Sequence, residues 1–287
     1  MVTFKYPSII VAIALVSTAA AVTGQTPVSP SSFAVPATNN SYADIADLVV
    51  ISPLIVDATV KKATKIPAEQ AIGVPANLQR MLIVADVSAL VRGNDGIAGQ
   101  VRFLLDVPKD AKGKIPKLNK RRYFLLGSKA AGLPGTIRLS RPDAVVEWSA
   151  NNDSMLRAIT KEAVVIDAPQ SVIGVTSAFH SPGTIIGEGE TQIFVEAKGN
   201  QIYSLSVFSQ PGAPKRWAVS TGEVIDESAG APAKNTLLWY RLACGLPQAL
   251  DAKLVESPEA DSAAKAQADY RFIITSLGSC DRTRRKT

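Results

Sequence analysis

The sequence predicts a mostly β, two-domain protein: an OB-like antiparallel β-barrel, or a small sandwich, followed by an α+β domain with an antiparallel sheet and packed helices. Two observations lead to this prediction. Apolar and polar residues alternate across much of residues 42–149, whereas residues 150–281 combine amphipathic helical segments with further strands. A third observation, an export-type leader, indicates that the mature protein leaves the cytoplasm.

The first 24 residues have the parts of a secretory signal peptide. Lys5 supplies a positive start, residues 9–16 are apolar, and small residues follow as a cleavage pattern. The apolar stretch is shorter than the roughly 20 residues that cross a bilayer. We therefore predict cleavage after Ala21 or Gly24, no transmembrane segment afterwards, and a periplasmic or secreted protein. Residues 25–41, rich in Pro, Ser and Thr, are typical of a linker.

Strands with a period of two predict the first domain, residues 42–149. In 81–91 every odd-numbered residue is apolar, and an Asn-Asp-Gly turn joins this strand to the next. The predicted strands cover 54–64, 81–91, 100–107, 121–128 and 135–149. Five strands with a lengthy connection between the third and fourth favour a small closed or partly closed barrel of the OB type, with a plain sandwich as the alternative.

Helices and strands together predict the second domain, residues 150–281. Asn152 or Asp153 is the expected N-cap of its first helix. Strands are expected near 171–179, 191–197, 201–209 and 215–221. Two more helices are expected, one from an N-cap at Asn235 to Gly245 and one from Ser257 to Gly278.

Cys244 and Cys280 are the only cysteines. In an exported protein a single pair favours a disulfide, and here it would join the ends of two helices. Two thiols without a neighbouring histidine do not complete a tetrahedral zinc shell, so we predict no metal site.

His180 is the single histidine, which excludes the multi-histidine metal centres. Ser181 is adjacent, but neighbouring side chains on a strand point to opposite faces, so the two cannot form a nucleophile–base pair with each other. The alternative function is an exported hydrolase in which His180 is the general base and Glu188 or Glu190 assists. The simpler interpretation is a histidine at a strand end beside an exposed acidic loop. The glycines near these glutamates do not complete a nucleotide-binding motif, so no cofactor is predicted.

A cationic connection between the third and fourth strands is the main candidate binding surface. Its predicted binding residues are Lys112, Lys114, Lys117, Lys120, Arg121 and Arg122. Few aromatic residues interleave them, so nucleic acid is not an expected partner. The expected partner is an envelope protein, an anionic lipid or a polysaccharide. A second basic run, 282–287, is expected to form a tail. The formal net charge of +6 comes in large part from these two segments.

These observations favour an exported, non-enzymatic binding or assembly protein of the cell envelope over a hydrolase. A polysaccharide-binding barrel face is a weaker third reading.

Overall fold

The computed structural model describes residues 40–221, 229–257 and 259–284. The predicted signal peptide and most of the predicted linker therefore lie outside the described residues. The helices are α1 (Tyr42–Ile51), α2 (Ala150–Ala163), α3 (Leu237–Gly245) and α4 (Ala260–Leu277). The strands are β1 (Leu54–Lys65), β2 (Leu78–Arg92), β3 (Gln100–Pro108), β4 (Arg122–Lys129), β5 (Ile137–Leu139), β6 (Val145–Glu147), β7 (Val172–Pro182), β8 (Gly189–Ala197), β9 (Gln201–Ser209) and β10 (Arg216–Thr221).

Strands β1 to β6 form one antiparallel sheet. Its order is β3-β2-β1-β4-β5, and β6 also pairs with β4. A parallel bridge between Arg102 in β3 and Thr136, just before β5, connects the two ends of this order. The sheet is therefore a nearly closed barrel, and the predictions of a mostly β chain and of a barrel-like antiparallel sheet in its first half are confirmed.

The period of two in the sequence separates the inner and outer faces of the barrel. Ile83 and Phe103 are buried inside it, whereas Leu82 and Leu104 lie on the exposed outer face of β2 and β3. Strands β1 and β4 are buried on both faces: one side lines the barrel and the other packs against helices. A continuous run of apolar residues in β4 serves both purposes.

Helix α1 was not predicted from the sequence. Ser41 caps it, and the side chain of Asp44 bonds back to the backbone N–H of Ser41, so the two form a capping box. Residues 42–49 are all buried. Asp44 and Asp47 are the only polar residues of the helix and both are buried, so it lacks the broad exposed polar face from which an amphipathic helix is recognised.

Three helices begin at other residues than the sequence predicted. Ser149 caps α2 instead of Asn152 or Asp153, and Thr236 caps α3 instead of Asn235. Helix α4 begins at Ala260, later than expected, but ends before Gly278 as predicted. Ser, Asp, Asn and Thr all cap well, so where several are adjacent the sequence does not select one.

Strands β7 to β10 form a second antiparallel sheet in the order β10-β9-β8-β7. Helices α3 and α4 pack on this sheet, as expected for an α+β arrangement. One hydrophobic cluster contains Phe124 of β4 as well as Tyr203 of β9 and Tyr270 of α4. A shared core therefore connects the two sheets, and the predicted domain boundary between 149 and 150 stays a prediction.

The predicted disulfide is confirmed. Cys244 in the last turn of α3 is bonded to Cys280, just past α4, with their Cα atoms 5.0 Å apart. The link joins the ends of two helices that pack on the same sheet.

The residues after Cys280 lie against α1. Arg282 bonds Asp47 through both carboxylate oxygens, and Thr283 Oγ1 donates to Asp44 Oδ2 over 2.6 Å. Burial by itself raises the pKa of Asp44, but hydrogen bonds from Thr283, from the backbone of Arg284 and from Ser41 outweigh it and lower the pKa overall. In the described part of the predicted basic tail, Arg282 is thus charge-paired with α1, and Arg284 is charge-paired with Asp143 before β6.

Candidate functional site

The barrel has an open groove between β3 and β5. The groove has a volume of about 940 Å³ and is lined by β2, β3, β5 and the loop before β5. Among the described residues, the bridge at Arg102 is the one place where β3 pairs with the chain around β5. The groove thus lies where the barrel stops short of closing.

The floor of the groove is apolar and exposed. Leu104 is 50% exposed and Leu133, in the loop before β5, is 56% exposed, while Leu82 contributes from β2. Exposed leucines that are grouped in a concave surface suit contact with a partner, whereas isolated ones would have no such meaning.

Four arginines and one aspartate surround this floor. Arg80 is neutralised by Asp106 through two hydrogen bonds of 2.8 Å, and Arg141 pairs with Asp143. Arg102 donates to a hydroxyl and a backbone carbonyl, Thr136 Oγ1 and Pro134 O.

Arg102 and Arg138 are both exposed lining residues, and neither has an acidic partner within the part of the chain that the structure describes. The groove therefore offers two guanidinium groups that are not neutralised by an acidic side chain of the described residues, beside an apolar floor.

The residues of the predicted cationic connection fall into two groups, those that are paired within the protein and those that are exposed. Arg121 is paired with Glu147, and Arg122 is paired with the fully buried Asp57 while stacking on Trp148. These two arginines stabilise the barrel. The remaining predicted binding residues of this segment are exposed: Lys112, Lys114, Lys117 and Lys120.

His180 lies on β7 in a buried polar cluster. Its Nδ1 is 2.9 Å from Thr191 Oγ1, and Thr191 Oγ1 donates to Asp269 Oδ2 over 2.5 Å. The other oxygen of Asp269 accepts from Lys215 Nζ. Since the hydroxyl hydrogen of Thr191 is committed to the carboxylate, His180 Nδ1 carries the hydrogen of that contact and Nε2 is the unprotonated nitrogen.

Nε2 of His180 has no open space in front of it. The atom is buried and has no hydrogen-bond partner among the described residues. The backbone of Gly189 lies against the ring, because a Cβ at that position would be 2.7 Å from His180 Cε1. A general base needs its substrate within hydrogen-bond reach, and this nitrogen is sealed from solvent.

Burial is the main cause that lowers the pKa of His180. The positive charge of Lys265 lowers it further, Asp269 raises it, and Lys215 lowers it again. The imidazole is thus held neutral, which suits a buried group that is satisfied on one side only.

None of the other described residues of the hydrolase hypothesis makes a hydrogen bond to His180 Nε2. Ser181 is exposed on the opposite face of β7 from His180. Glu190 accepts a hydrogen bond from Gln192, and the side chain of Glu188 lies against Gly183. The carboxylate that accompanies His180 is instead Asp269.

Sequence reasoning missed Thr191, Asp269 and Lys215 in the histidine cluster, and Arg102 and Arg138 in the groove. Thr191 and Asp269 are separated by 78 positions, so no local spacing could connect them. A weak signal did exist for the groove, since Leu82 and Leu104 are apolar at positions that the period of two assigns to the outer face.

No protein-family model matches the chain, and no curated protein matches it in sequence. Among the described residues, no helix combines the length and apolar character needed to span a membrane.

Proposed function

We propose that this chain is an exported, non-enzymatic binding or assembly protein of the cell envelope, periplasmic or secreted, and that it holds its partner in the groove between β3 and β5. The supporting observation is the pairing of exposed leucines with two unneutralised guanidinium groups, Arg102 and Arg138, in one concave surface. A partner with both apolar and anionic groups would satisfy both.

The proposal includes an OB-like identity for the barrel. Strand β1 pairs with both β2 and β4, and the parallel bridge from β3 toward β5 would complete a five-stranded barrel in OB order. OB-type barrels bind ligands on the face of their second and third strands and on adjoining loops. The groove occupies that face, which supports the proposal by analogy of fold only.

Export rests on the leader pattern at residues 1–24, with the disulfide as indirect support. A structural disulfide persists in an oxidising compartment and is rare in a reducing one. The absence of catalysis rests on the enclosed position of His180 Nε2.

Site-directed photo-crosslinking in the host cells tests the binding site. Benzoylphenylalanine replaces Leu133 in the floor of the groove or, as a control, Ile72, which is 86% exposed and does not line the groove. We expect a discrete crosslinked product from position 133 that the Ile72 probe does not give.

Charge reversal tests which side chains are needed to bind the crosslinked partner. Arg102→Glu with Arg138→Glu should abolish the crosslink, whereas the matched reversal Lys112→Glu with Lys114→Glu should retain it, as should His180→Gln. If the crosslink is lost with the two lysine reversals and retained with the two arginine reversals, the binding site lies on the predicted cationic connection instead. Loss with His180→Gln alone, in a folded protein, would favour the hydrolase.

A further inference from the structure

Two lysine-rich loops leave the barrel at the same end. One joins β1 to β2, and the other is the cationic connection from β3 to β4. They are in contact, because Lys109 N donates to Asn77 O over 2.9 Å and Lys109 Nζ donates to Ala76 O over 3.0 Å. We call residues 62–77 together with residues 109–120 the lysine end. Its lysines are Lys62, Lys65, Lys109, Lys112, Lys114, Lys117 and Lys120.

The charges of the lysine end are not neutralised within the described part of the chain. None of these lysines forms an ion pair with an acidic side chain there. The acidic residues of the lysine end are Glu69 and Asp110. Asp110 Oδ1 accepts the backbone N–H groups of Lys112 and Lys114, both over 2.8 Å, so this carboxylate holds a turn. The lysine end therefore presents a strong positive field to its surroundings.

The cationic connection is anchored to the barrel, so its charges are held in place. Leu118 is buried in the core of the barrel, and Ile115 packs against that core. Lys114, Lys117 and Lys120 are exposed and follow one another at every third position. An array that is already ordered loses less conformational entropy on binding than a flexible tail would.

Lys120 occupies an unfavourable backbone position. Its φ is 67°, in the left-handed region that glycine adopts more readily than any other residue. The N–H of Lys120 donates to Val60 O over 2.8 Å, which fixes this conformation beside β1. A lysine is more costly than a glycine here, so the benefit of the residue lies in its side chain.

Ile72 adds an apolar group at the same end. It lies in a turn in which Val74 N donates to Ala71 O over 3.1 Å and Gly73 has a φ of 78°, as the third position of a type II turn requires. Ala71 is buried, whereas Ile72 is 86% exposed. A single exposed isoleucine has no meaning by itself. Beside an array of lysines, it gives the surface the amphipathic character of a membrane-binding surface.

From this arrangement we infer that the lysine end docks on the surface of an anionic phospholipid bilayer, with lysines against the headgroups and Ile72 inserted among them. The inference goes beyond the proposed function, because it does not involve the groove. The lysine end contains no arginine and no aromatic residue. Arginine forks suit bidentate recognition of single groups, whereas lysine is a point charge on a flexible stem and suits many mobile headgroups. An exposed isoleucine has no such use on a hydrated, anionic saccharide.

Co-sedimentation with vesicles tests this docking. The mature, oxidised protein is mixed with vesicles of phosphatidylcholine that contain about one third phosphatidylglycerol or none. We expect binding to the anionic vesicles alone, and weaker binding as salt is added, because salt screens exposed charges. Each lysine should contribute up to about five-fold, so Lys112→Glu with Lys114→Glu should reduce partitioning by about 25-fold or more.

A matched reversal separates the lysine end from the net charge of the protein. Lys198→Glu with Lys253→Glu changes the net charge by the same amount. Both lysines are exposed, one between β8 and β9 and the other before α4, and neither has an acidic partner among the described residues. This variant should bind anionic vesicles within about two-fold of the unmodified protein. Equal losses in the two variants would mean that net charge alone is responsible and would overturn the inference.

Two further changes test the backbone position of Lys120 and the insertion of Ile72. Lys120→Gly should weaken vesicle binding about five-fold without lowering the melting temperature, because glycine relieves the left-handed conformation. Ile72→Ser should weaken it about three-fold. Benzoylphenylalanine at position 72 should form a lipid adduct with anionic vesicles, which mass spectrometry detects. This adduct is too small to resemble a crosslinked protein.

Immobilised polygalacturonate is the competing polyanion. Tighter binding to this saccharide than to the vesicles, with no effect of Ile72→Ser, would overturn the inference and make the lysine end a glycan-binding surface. Equal binding to anionic and neutral vesicles, or binding to neither, would also overturn it. Vesicle binding and the Leu133 crosslink are separate measurements, so the membrane docking and the proposed function can fail independently.

Discussion

The groove and the histidine cluster both contain charged side chains but differ in whether those charges are paired within the described part of the chain. In the cluster, Asp269 is 1% exposed and both of its oxygens accept hydrogen bonds, from Thr191 and Lys215. In the groove, Arg102 and Arg138 remain exposed without an acidic partner among the described residues. A closed network adds to folding stability, whereas an open one is available to a partner.

The comparison shows that a rare residue does not by itself mark a functional site. His180 is unique in the chain, but its contacts are internal, and its free nitrogen faces the backbone of Gly189. Arginine is common here, but Arg102 and Arg138 lie beside exposed leucines in one concave surface, and neither has an acidic partner among the described residues. Changes in the cluster should thus affect stability, and changes in the groove should affect binding.

The largest effect is expected from Asp269→Ala. Removal of this buried carboxylate leaves the hydroxyl of Thr191 without its acceptor and Lys215 without its counter-ion. Because Lys215 is partly exposed and can turn to solvent, we expect a loss of about 3 kcal/mol in the free energy of unfolding. Urea denaturation measures it, with Asp261→Asn on the exposed side of the same helix as the control. A change below about 0.5 kcal/mol would show that the cluster is not a stabilising network.

A smaller loss is expected from Gly189→Ala. The new methyl group would lie 2.7 Å from His180 Cε1 and 3.0 Å from the carbonyl oxygen of Ser181, so the ring or the strand must move. Overpacking of this kind costs about 2 kcal/mol. Gly174→Ala, in β7 with nothing within 4 Å of the added atom, is the matched control and should be close to neutral. Equal stability of the two variants would mean that the space beside His180 is open.

The single histidine also makes the free energy of unfolding depend on pH. Its pKa is lowered in the folded protein, so on acidification the unfolded chain binds a proton first, near the ordinary pKa of about 6.5. The contribution to stability is therefore complete above about pH 6.5 and decreases as the pH falls toward the pKa of the folded state.

Urea titrations between pH 5 and pH 8 test this for the oxidised protein and for His180→Gln. The slope of stability against pH should be flatter in the variant, since no other side chain ordinarily titrates in this range. An imidazole that titrates by NMR at its free value would contradict the closed cluster.

Much of the fold could be predicted because its signals are local. The period of two identified the strands, and the single pair of cysteines predicted the disulfide. Helix α1 was missed because all of its residues except Asp44 and Asp47 are apolar, so the amphipathic pattern is weak. Its burial depends on β4, α2 and the segment after Cys280, which are distant in the sequence.

The two sites could be predicted less well because both are assembled from distant segments. His180 was singled out, but nothing near it indicated Asp269. The cationic connection between the third and fourth strands was singled out for its charge, whereas the structure pairs Arg122 with buried Asp57 and gives Arg102 and Arg138 no acidic partner among the described residues. Net charge along a sequence does not show which charges are neutralised after folding, because the acidic partners come from other strands.

The smallest effect on stability, and the clearest contrast with Asp269, is expected from Arg102→Glu with Arg138→Glu. Both side chains are exposed and unpaired with acids, so the free energy of unfolding should change by less than about 0.5 kcal/mol. Arg122→Ala is the control for an arginine that is bonded internally. It leaves the buried carboxylate of Asp57 without its counter-ion and should lower the free energy of unfolding by about 3 kcal/mol. The melting temperatures of the three proteins measure this difference. A groove variant as unstable as Arg122→Ala would mean that the groove arginines hold the barrel together, and their charge would then no longer point to an acidic partner.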